Sequence, residues 1–336
     1  MIFAKELNDT LRGALTGDRR VVLLGEDIAD PYGGAFKVTR GLSTAFPQRV
    51  RTTPISEGAI AGISAGLALA GYRPIAEVMF GDFLTLMFDQ VVNHMAKYQA
   101  MYAGQATCPV VIRAATGGHR GYGPTHSQSL EKHFLGVPHL RVVAASLYHD
   151  PRTVFADFLG RDEPVLYVEH KLLYPQHLTS PVNGRVGDLI AGSDASPGAL
   201  PTIRLSAVPA EDCSVSVLAY GYQAHLAAQV IERLAIEEEI FAELIVPAQI
   251  APMDWAPVER SVAVTGRLVT VEEGADGWSW GAEAASVISR RLFGRLDRPV
   301  DVVASDATVI PSSKTKEAAV LVGSARIEAA IRAAAN

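Results

Sequence analysis

Cysteine is scarce in this chain of 336 residues: there are two, Cys108 and Cys213, far apart and with no CxxC or zinc-finger spacing. Isolated thiols of this kind predict reduced side chains in a cytoplasmic protein rather than a disulfide framework. Basic charge is also lacking. Thirty Lys and Arg face 36 Asp and Glu, for a net charge of −6. No positive field is left to gather a polyanion, so neither nucleic acid nor a membrane surface is expected as a partner. The uncharged stretch Gly58 to Tyr72 is dense in Gly and Ala and shorter than the roughly twenty apolar residues of a spanning helix. The opening "MIFAKELNDTLRGAL" interleaves charges with helical apolar spacing, which is not the layout of a secretion signal. No Walker loop, HExxH or GxGxxG follows a strand-like run, so nucleotide-triphosphate, metalloprotease and dinucleotide chemistry have no motif to rest on. "GISAG" (Gly62 to Gly66) fits GxSxG, but a nucleophile elbow needs a strand directly before it and "SEGAIA" opens a helix.

What is present is a composition with real cores, 49% hydrophobic and 20% charged, in a chain long enough for two domains. Short β-rich runs ("RVVLLGED", "RVRTTPI", "RPIAEVMF", "CPVVIRAA", "LRVVAAS", "EPVLYVEH") alternate with helix-like stretches such as "DFLTLMFDQVVNHMAKYQAMYAG". That rhythm predicts an α/β fold with a parallel sheet between helices. It lapses in a Pro-, Gly- and Ser-rich segment. It resumes with "SVSVLAYG", "AELIVPAQ", "RLVTVEEG" and "VDVVASD", separated by "YQAHLAAQVIERLAIEE" and "WGAEAASVISRRLFG". The expected organisation is an α/β domain over 1–175, an interdomain connection over 176–212 and a second parallel-sheet α/β domain over 213–336.

In open α/β sheets, ligand groups sit beyond the carboxyl ends of strands. Three such ends carry unusual residues: "TTPISE", "MFGDF" and "RAATGGHRGYGPTHSQS". Glu57 reads either as a first-turn carboxylate behind an Ser56 N-cap or as an acid held among apolar neighbours for chemistry. Phe83 reads as core or as a ligand-facing ring, and His126 as a structural hydrogen bonder or a catalyst. Glycines 58, 62 and 66 share one helix face. They suit either a tight contact within the chain or a subunit interface.

Taken in order, "GEDIADPYGGAFKVTRGL", "TTPISE", "AGYRPIAEVMFGDFLTLMFDQVVNHMAKY", "THSQS" and "VEEG" resemble the beta subunits of thiamine-diphosphate-dependent 2-oxoacid dehydrogenases. These are the decarboxylating components of the pyruvate, branched-chain 2-oxoacid and acetoin systems, and they are transketolase-like. The resemblance implies a pyrimidine-binding domain followed by a transketolase C-terminal domain. It implies that Glu57 hydrogen-bonds N1′ of the cofactor's aminopyrimidine and favours the imino tautomer that takes the C2 proton. Phe83 would pack on the pyrimidine ring, and His126 would serve acyl transfer near C2. Met79, Tyr32 and the Gly33–Gly34 turn would shape the same pocket.

Half of such a site is missing. Thiamine enzymes hold magnesium and the diphosphate through GDG and a later Asn pair; here "GD" occurs only in "GDR", "GDF" and "GDL", and no Asn pair exists. The resemblance therefore implies an alpha subunit that binds magnesium and the diphosphate, an α2β2 heterotetramer with thiamine diphosphate at each alpha–beta contact, and no metal site of this chain's own at the catalytic centre. A structural potassium ion is a further expectation. The implied reaction decarboxylates a small 2-oxo acid and passes the acyl group to a lipoyl-bearing acyltransferase. Two alternatives stand beside it: a two-subunit carboligase or split transketolase, and a non-catalytic scaffold. The long connector, "IVPAQIAPMDW" and "SDATVIPSSKTKEAAV" depart from the family pattern, in segments where the family contacts its second beta copy and its acyltransferase core.

Overall fold

The computed structural model describes residues 1–179, 181 and 183–336. Among these, the chain divides into two compact units. The first comprises Met1–Gly117, His133–Ala145 and Asp150–Leu178; the second comprises Gly118–Lys132, Ser146–His149 and Thr179–Asn336.

The first unit is built on β1 (Val21–Gly25), β2 (Val50–Thr52), β3 (Arg73–Val78), β4 (Val111–Thr116), β5 (Arg141–Ala144) and β6 (Val165–His170). Its strands run parallel in the order β5-β6-β4-β3-β1-β2. Every residue of β1, β4, β5 and β6 is buried, as expected where helices cover both faces of a parallel sheet. Helices α1 (Phe3–Gly17), α2 (Leu42–Ala45), α3 (Glu57–Leu69), α4 (Tyr98–Met101) and α5 (Pro151–Leu159) belong to this unit. The "GISAG" match lies inside α3, which removes the strand that a nucleophile elbow requires.

The run expected as one helix after β3 is irregular. It is a 3₁₀ segment over Gly81–Met87, a π-helical segment over Gln90–Met95 and then α4. Its buried face is nonetheless helical in spacing: Leu84, Met87, Val91 and Met95 all point inward. The tight start has a steric cause, since a Cβ on Gly81 would lie 2.5 Å from Thr116 Cγ2.

The second unit carries β7 (Arg185–Val186), β8 (Leu189–Asp194), β9 (Thr202–Ser206), β10 (Val215–Ala219), β11 (Ala242–Pro247), β12 (Gln249–Ala251), β13 (Leu268–Ala275) and β14 (Asp301–Ser305). Its helices are α6 (Gly221–Glu238), α7 (Ala256–Thr265), α8 (Trp280–Arg291), α9 (Lys314–Val320) and α10 (Ser324–Ala335). The sheet order is β14-β13-β10-β11-β9-β8-β7. Strands β14, β13, β10 and β11 pair in parallel, whereas β9, β8 and β7 add on as antiparallel strands. The segment expected over 176–212 as a plain connection contains three strands, β7, β8 and β9, that join the sheet of the second unit. Its Pro, Gly and Ser residues mark the turns between short edge strands, where such residues break periodicity without ending the sheet.

Candidate active site

Three neighbouring strands of the first unit end side by side. Gly25 of β1 lies opposite Thr52 of β2 and Glu77 of β3, and the Thr53 N–H donates to the Gly25 carbonyl at 2.9 Å. This register brings Glu26, the Thr53–Glu57 segment and the Met79–Phe83 segment to one edge of the sheet. Glu57 begins α3 and is buried. Ser56 occupies the N-cap position, but its side chain makes no capping bond, contrary to expectation. Its backbone N–H instead donates to the carboxylate of Glu26.

Glu26 is the residue that sequence reasoning missed. It is buried, and its Oε1 has no hydrogen-bond partner. Burial raises its pKa first and the neighbouring Glu57 carboxylate raises it further, against the opposing Ser56 N–H. The signal was in plain view, as an acid directly after the wholly apolar run "VVLLG".

Phe83 is half-buried, with its ring 5.9 Å from that of Phe80 at 79°. Phe80 meets Phe36 edge-on at 5.8 Å, and Phe36 stacks on Tyr174 at 5.0 Å. A continuous aromatic row therefore backs the Phe83 position. Met79 lines a void of about 10 Å³ together with Phe36, Glu77 and Arg113. Tyr32 is 48% exposed at a loop tip, capped by Lys37 Nζ 3.6 Å above its ring. Gly33 has φ +73, and a Cβ there would sit 2.6 Å from Arg40 Cα, so the turn requires glycine. Asp30 pins this loop by accepting from Gly41 N, Ser43 Oγ, Thr44 N and Thr44 Oγ1. The Thr44 hydroxyl above all holds its carboxyl well below the usual carboxylate range.

Beside this edge lies a second acidic group that is charge-balanced. Arg113 of β4 is buried and donates to Glu169 Oε1 and Oε2 at 2.7 and 2.8 Å and to Glu77 Oε2 at 2.7 Å. The Tyr174 hydroxyl adds a bond to Glu169 at 2.8 Å.

Glu57, Phe83, Met79, Tyr32 and Gly33 all belong to the first unit. His126 belongs to the second unit, on the segment that follows β4. It is half-buried; its N–H donates to the Gly123 carbonyl at 3.3 Å, and its Nδ1 lies 3.0 Å from Thr125 Oγ1. The same segment lines a cavity of about 700 Å³ with Gln128, Ser129, Lys132, Glu273 and Asp306 among its walls.

A protonatable acid beside a second, incompletely bonded carboxyl and an aromatic face is a donor set suited to a protonatable heteroaromatic ring. Comparison with known proteins identifies the family. Residues 2–176 match the family described as "Transketolase, pyrimidine binding domain", and residues 206–327 match "Transketolase, C-terminal domain". The chain is 34% identical to the acetoin:2,6-dichlorophenolindophenol oxidoreductase subunit beta of Cupriavidus necator, over 97% of this chain and 95% of that one. It is 36% identical to the pyruvate dehydrogenase E1 component subunit beta of Leifsonia xyli, over 92% and 88%. It is 32% identical to the 2-oxoisovalerate dehydrogenase subunit beta of Bacillus subtilis, over 99% and 98%. Among solved structures, a split-gene transketolase described as an inactive beta4 tetramer matches with TM-score 0.72 at 20% identity, covering 98% of this chain and 97% of that one; this likeness concerns the fold. With both domain types matched in order and relatives above 30% identity along nearly its whole length, the chain belongs to the transketolase-like family of 2-oxoacid dehydrogenase E1 beta subunits.

Proposed function

We propose that this chain works with an alpha subunit to decarboxylate a small 2-oxo acid and pass the acyl group to a lipoyl-bearing acyltransferase. The observation that carries the reading is the buried Glu26–Glu57 pair at the carboxyl edge of the first sheet, where one carboxylate oxygen has no partner. Among the described residues no cation pairs with these two acids in the way that Arg113 pairs with Glu77 and Glu169, and burial favours the protonated form of Glu26. That environment fits the aminopyrimidine of thiamine diphosphate. When bound, the cofactor supplies an electron sink for the carbon left by decarboxylation.

This chain's residues then have separate tasks. Glu57 holds a proton at the pyrimidine N1′, and Glu26 keeps that carboxyl from losing it to solvent. Phe83 offers its ring face to the pyrimidine, with Phe80 and Phe36 behind it. Tyr32 and the Gly33 turn shape the entrance. Met79 stiffens the wall between this edge and the Arg113 cluster. His126 supplies a proton to the departing sulfur of the lipoyl disulfide. The alpha subunit holds magnesium and the diphosphate, in an α2β2 assembly. A cytoplasmic location accords with the two free, buried cysteines, and no helix among the described residues is long and apolar enough to cross a membrane.

The relatives above 30% identity that span the chain are named as subunits of 2-oxoacid dehydrogenases and of an acetoin oxidoreductase, whereas the likeness to the split-gene transketolase structure concerns the fold alone. This favours the dehydrogenase reading over carboligase or scaffold roles. The test is co-purification with the alpha partner, followed by a screen of linear, branched and sugar-derived 2-oxo acids using an artificial electron acceptor. Turnover of at least one acid only when both chains are present is expected. A complex that turns over none, yet joins aldehydes to sugar phosphates, would overturn the dehydrogenase reading.

A further inference from the structure

The segment Gly118–Lys132, which carries His126, is bonded at both ends to the second unit. At its start, the Gly118 N–H donates to Glu273 Oε1 at 2.7 Å and the Gly121 N–H to Glu317 Oε2 at 2.5 Å. Between them, His119 Nε2 lies 3.3 Å from Glu273 Oε2. At its end, Ser129 Oγ donates to Glu273 Oε1 at 3.3 Å. Lys132 Nζ donates to the carbonyls of Ala275 and Gly277, both at 2.9 Å. Tyr220 closes the set by donating to Glu131 Oε1 at 2.8 Å.

Glu273 therefore touches the segment on both sides of His126, and it is itself held by Gln223 Nε2 at 3.0 Å. Glu317 is wholly buried at the start of α9. Hydrogen bonds from backbone N–H groups to an ionised carboxylate are among the stronger neutral–charged contacts in a dry interior. Glycine is needed at two anchoring points. A Cβ on Gly118 would lie 2.4 Å from Leu321 Cδ1, and Gly121 has φ +73. His126 sits between these tethers on the same segment, where its backbone N–H donates to the Gly123 carbonyl and its Nδ1 lies beside Thr125 Oγ1.

We propose that Glu273 and Glu317 are positioning residues: they tie down both flanks of the loop that presents His126, and so set the imidazole for acyl transfer. This rests on the proposed role of His126, and the experiment separates the two. Glu317→Ala removes one tether and leaves Glu273 in place, whereas Glu317→Gln keeps a carbonyl oxygen that can accept from Gly121. Hydrogen–deuterium exchange on the intact chain reads the tether directly. Amides in 118–132 should exchange on the order of tenfold faster in Glu317→Ala, with Glu317→Gln close to the parent protein. In the assembled alpha–beta complex, Glu317→Ala should lower acyl transfer to lipoyl more than decarboxylation measured with an artificial acceptor. Glu317→Gln should restore that ratio. Ser129→Ala, a milder change at the other end, should shift exchange and ratio in the same direction by less, and keeps the test open should Glu317→Ala fail to fold. Faster exchange with an unchanged ratio, where His126→Ala does change it, overturns the positioning role alone. A silent His126→Ala overturns the role assigned to His126 and this proposal with it, and that variant by itself tells the two failures apart.

Discussion

Two pairs of buried acids share one sheet, and they differ in what faces them. Glu77 and Glu169 are clamped by Arg113, with Tyr174 completing the set. Among the described residues no such cation pairs with Glu26 or Glu57; burial and then the neighbouring Glu57 raise the cost of ionising Glu26, and one of its oxygens is unpartnered. Residue type is the same in both places, and burial is close: only Glu77 keeps partial exposure, at 14% of its side chain. The inventory of partners separates a structural acid cluster from one held ready for chemistry.

Replacing the acids of each pair should break the comparison in opposite ways. Glu57→Gln keeps shape but cannot carry the shared proton. In the alpha–beta complex, exchange of the cofactor C2 proton should slow by about 10² to 10⁴, with the thermal midpoint almost unchanged. Unaltered exchange would make Glu57 a helix-terminus carboxylate only. Arg113→Met should do the reverse. It strands two buried carboxylates, at a cost of about 3–5 kcal/mol by denaturant titration. A loss below about 1 kcal/mol, the scale of an exposed pair, would mean the cluster is not what the structure shows.

A third acid sharpens the contrast from the second unit. Burial lifts Glu131 from 4.5 to about 7, while the hydroxyl of Tyr220 pulls the other way. A carboxyl whose folded-state pKa is raised holds its proton more tightly when folded. Its relative stabilisation is complete below about pH 4.5 and is lost as the pH rises to about 7. On the order of 3 kcal/mol should disappear across that window, and Glu131→Gln should flatten the slope. An identical slope in the variant would assign it to other groups.

The smallest effect concerns α3. A Cβ on Gly62 or Gly66 meets nothing within 4 Å, and Ile63 beside them is 52% exposed. Of the three glycines, Gly58 alone faces the rest of the chain, and at ordinary van der Waals distance: its Cβ would lie 3.4 Å from the Leu86 carbonyl. Gly62→Leu should raise the stability of the isolated chain by up to about 1 kcal/mol through helix propensity, and should weaken association with the alpha subunit on a sizing column. Normal assembly would leave this face without an assigned occupant.

Much of the fold was legible because fully buried parallel strands read as unbroken apolar runs, as in "VVLLG" and "VVIRAAT". Strands β7–β9 were not. They are short and set among turn residues, and β7 and β8 are only partly buried, so period-2 alternation had little length in which to show. In the 82–104 region the spacing fixed the buried face but not the helix type, which apolar periodicity does not encode. At the site, Glu57 and Phe83 stood out by their strand-end position and by resemblance. Arg113, Glu77 and Glu169 did not, although a charge inside each of three buried strands, "VIRAAT", "PIAEV" and "LYVEH", was a readable sign of a paired cluster. The tethers Glu273 and Glu317 lie 155 and 196 residues from the glycines they hold, a separation that no local pattern encodes.

The central claim is that this chain carries the proton-holding half of a site whose metal and diphosphate half belongs to a partner. Titration calorimetry with thiamine diphosphate and magnesium, run on the isolated chain and on the alpha–beta complex, tests this directly. The account predicts tight binding to the complex that vanishes on chelating magnesium, and no more than weak, magnesium-independent binding to the chain alone. Submicromolar, magnesium-dependent binding to the chain alone would contradict it.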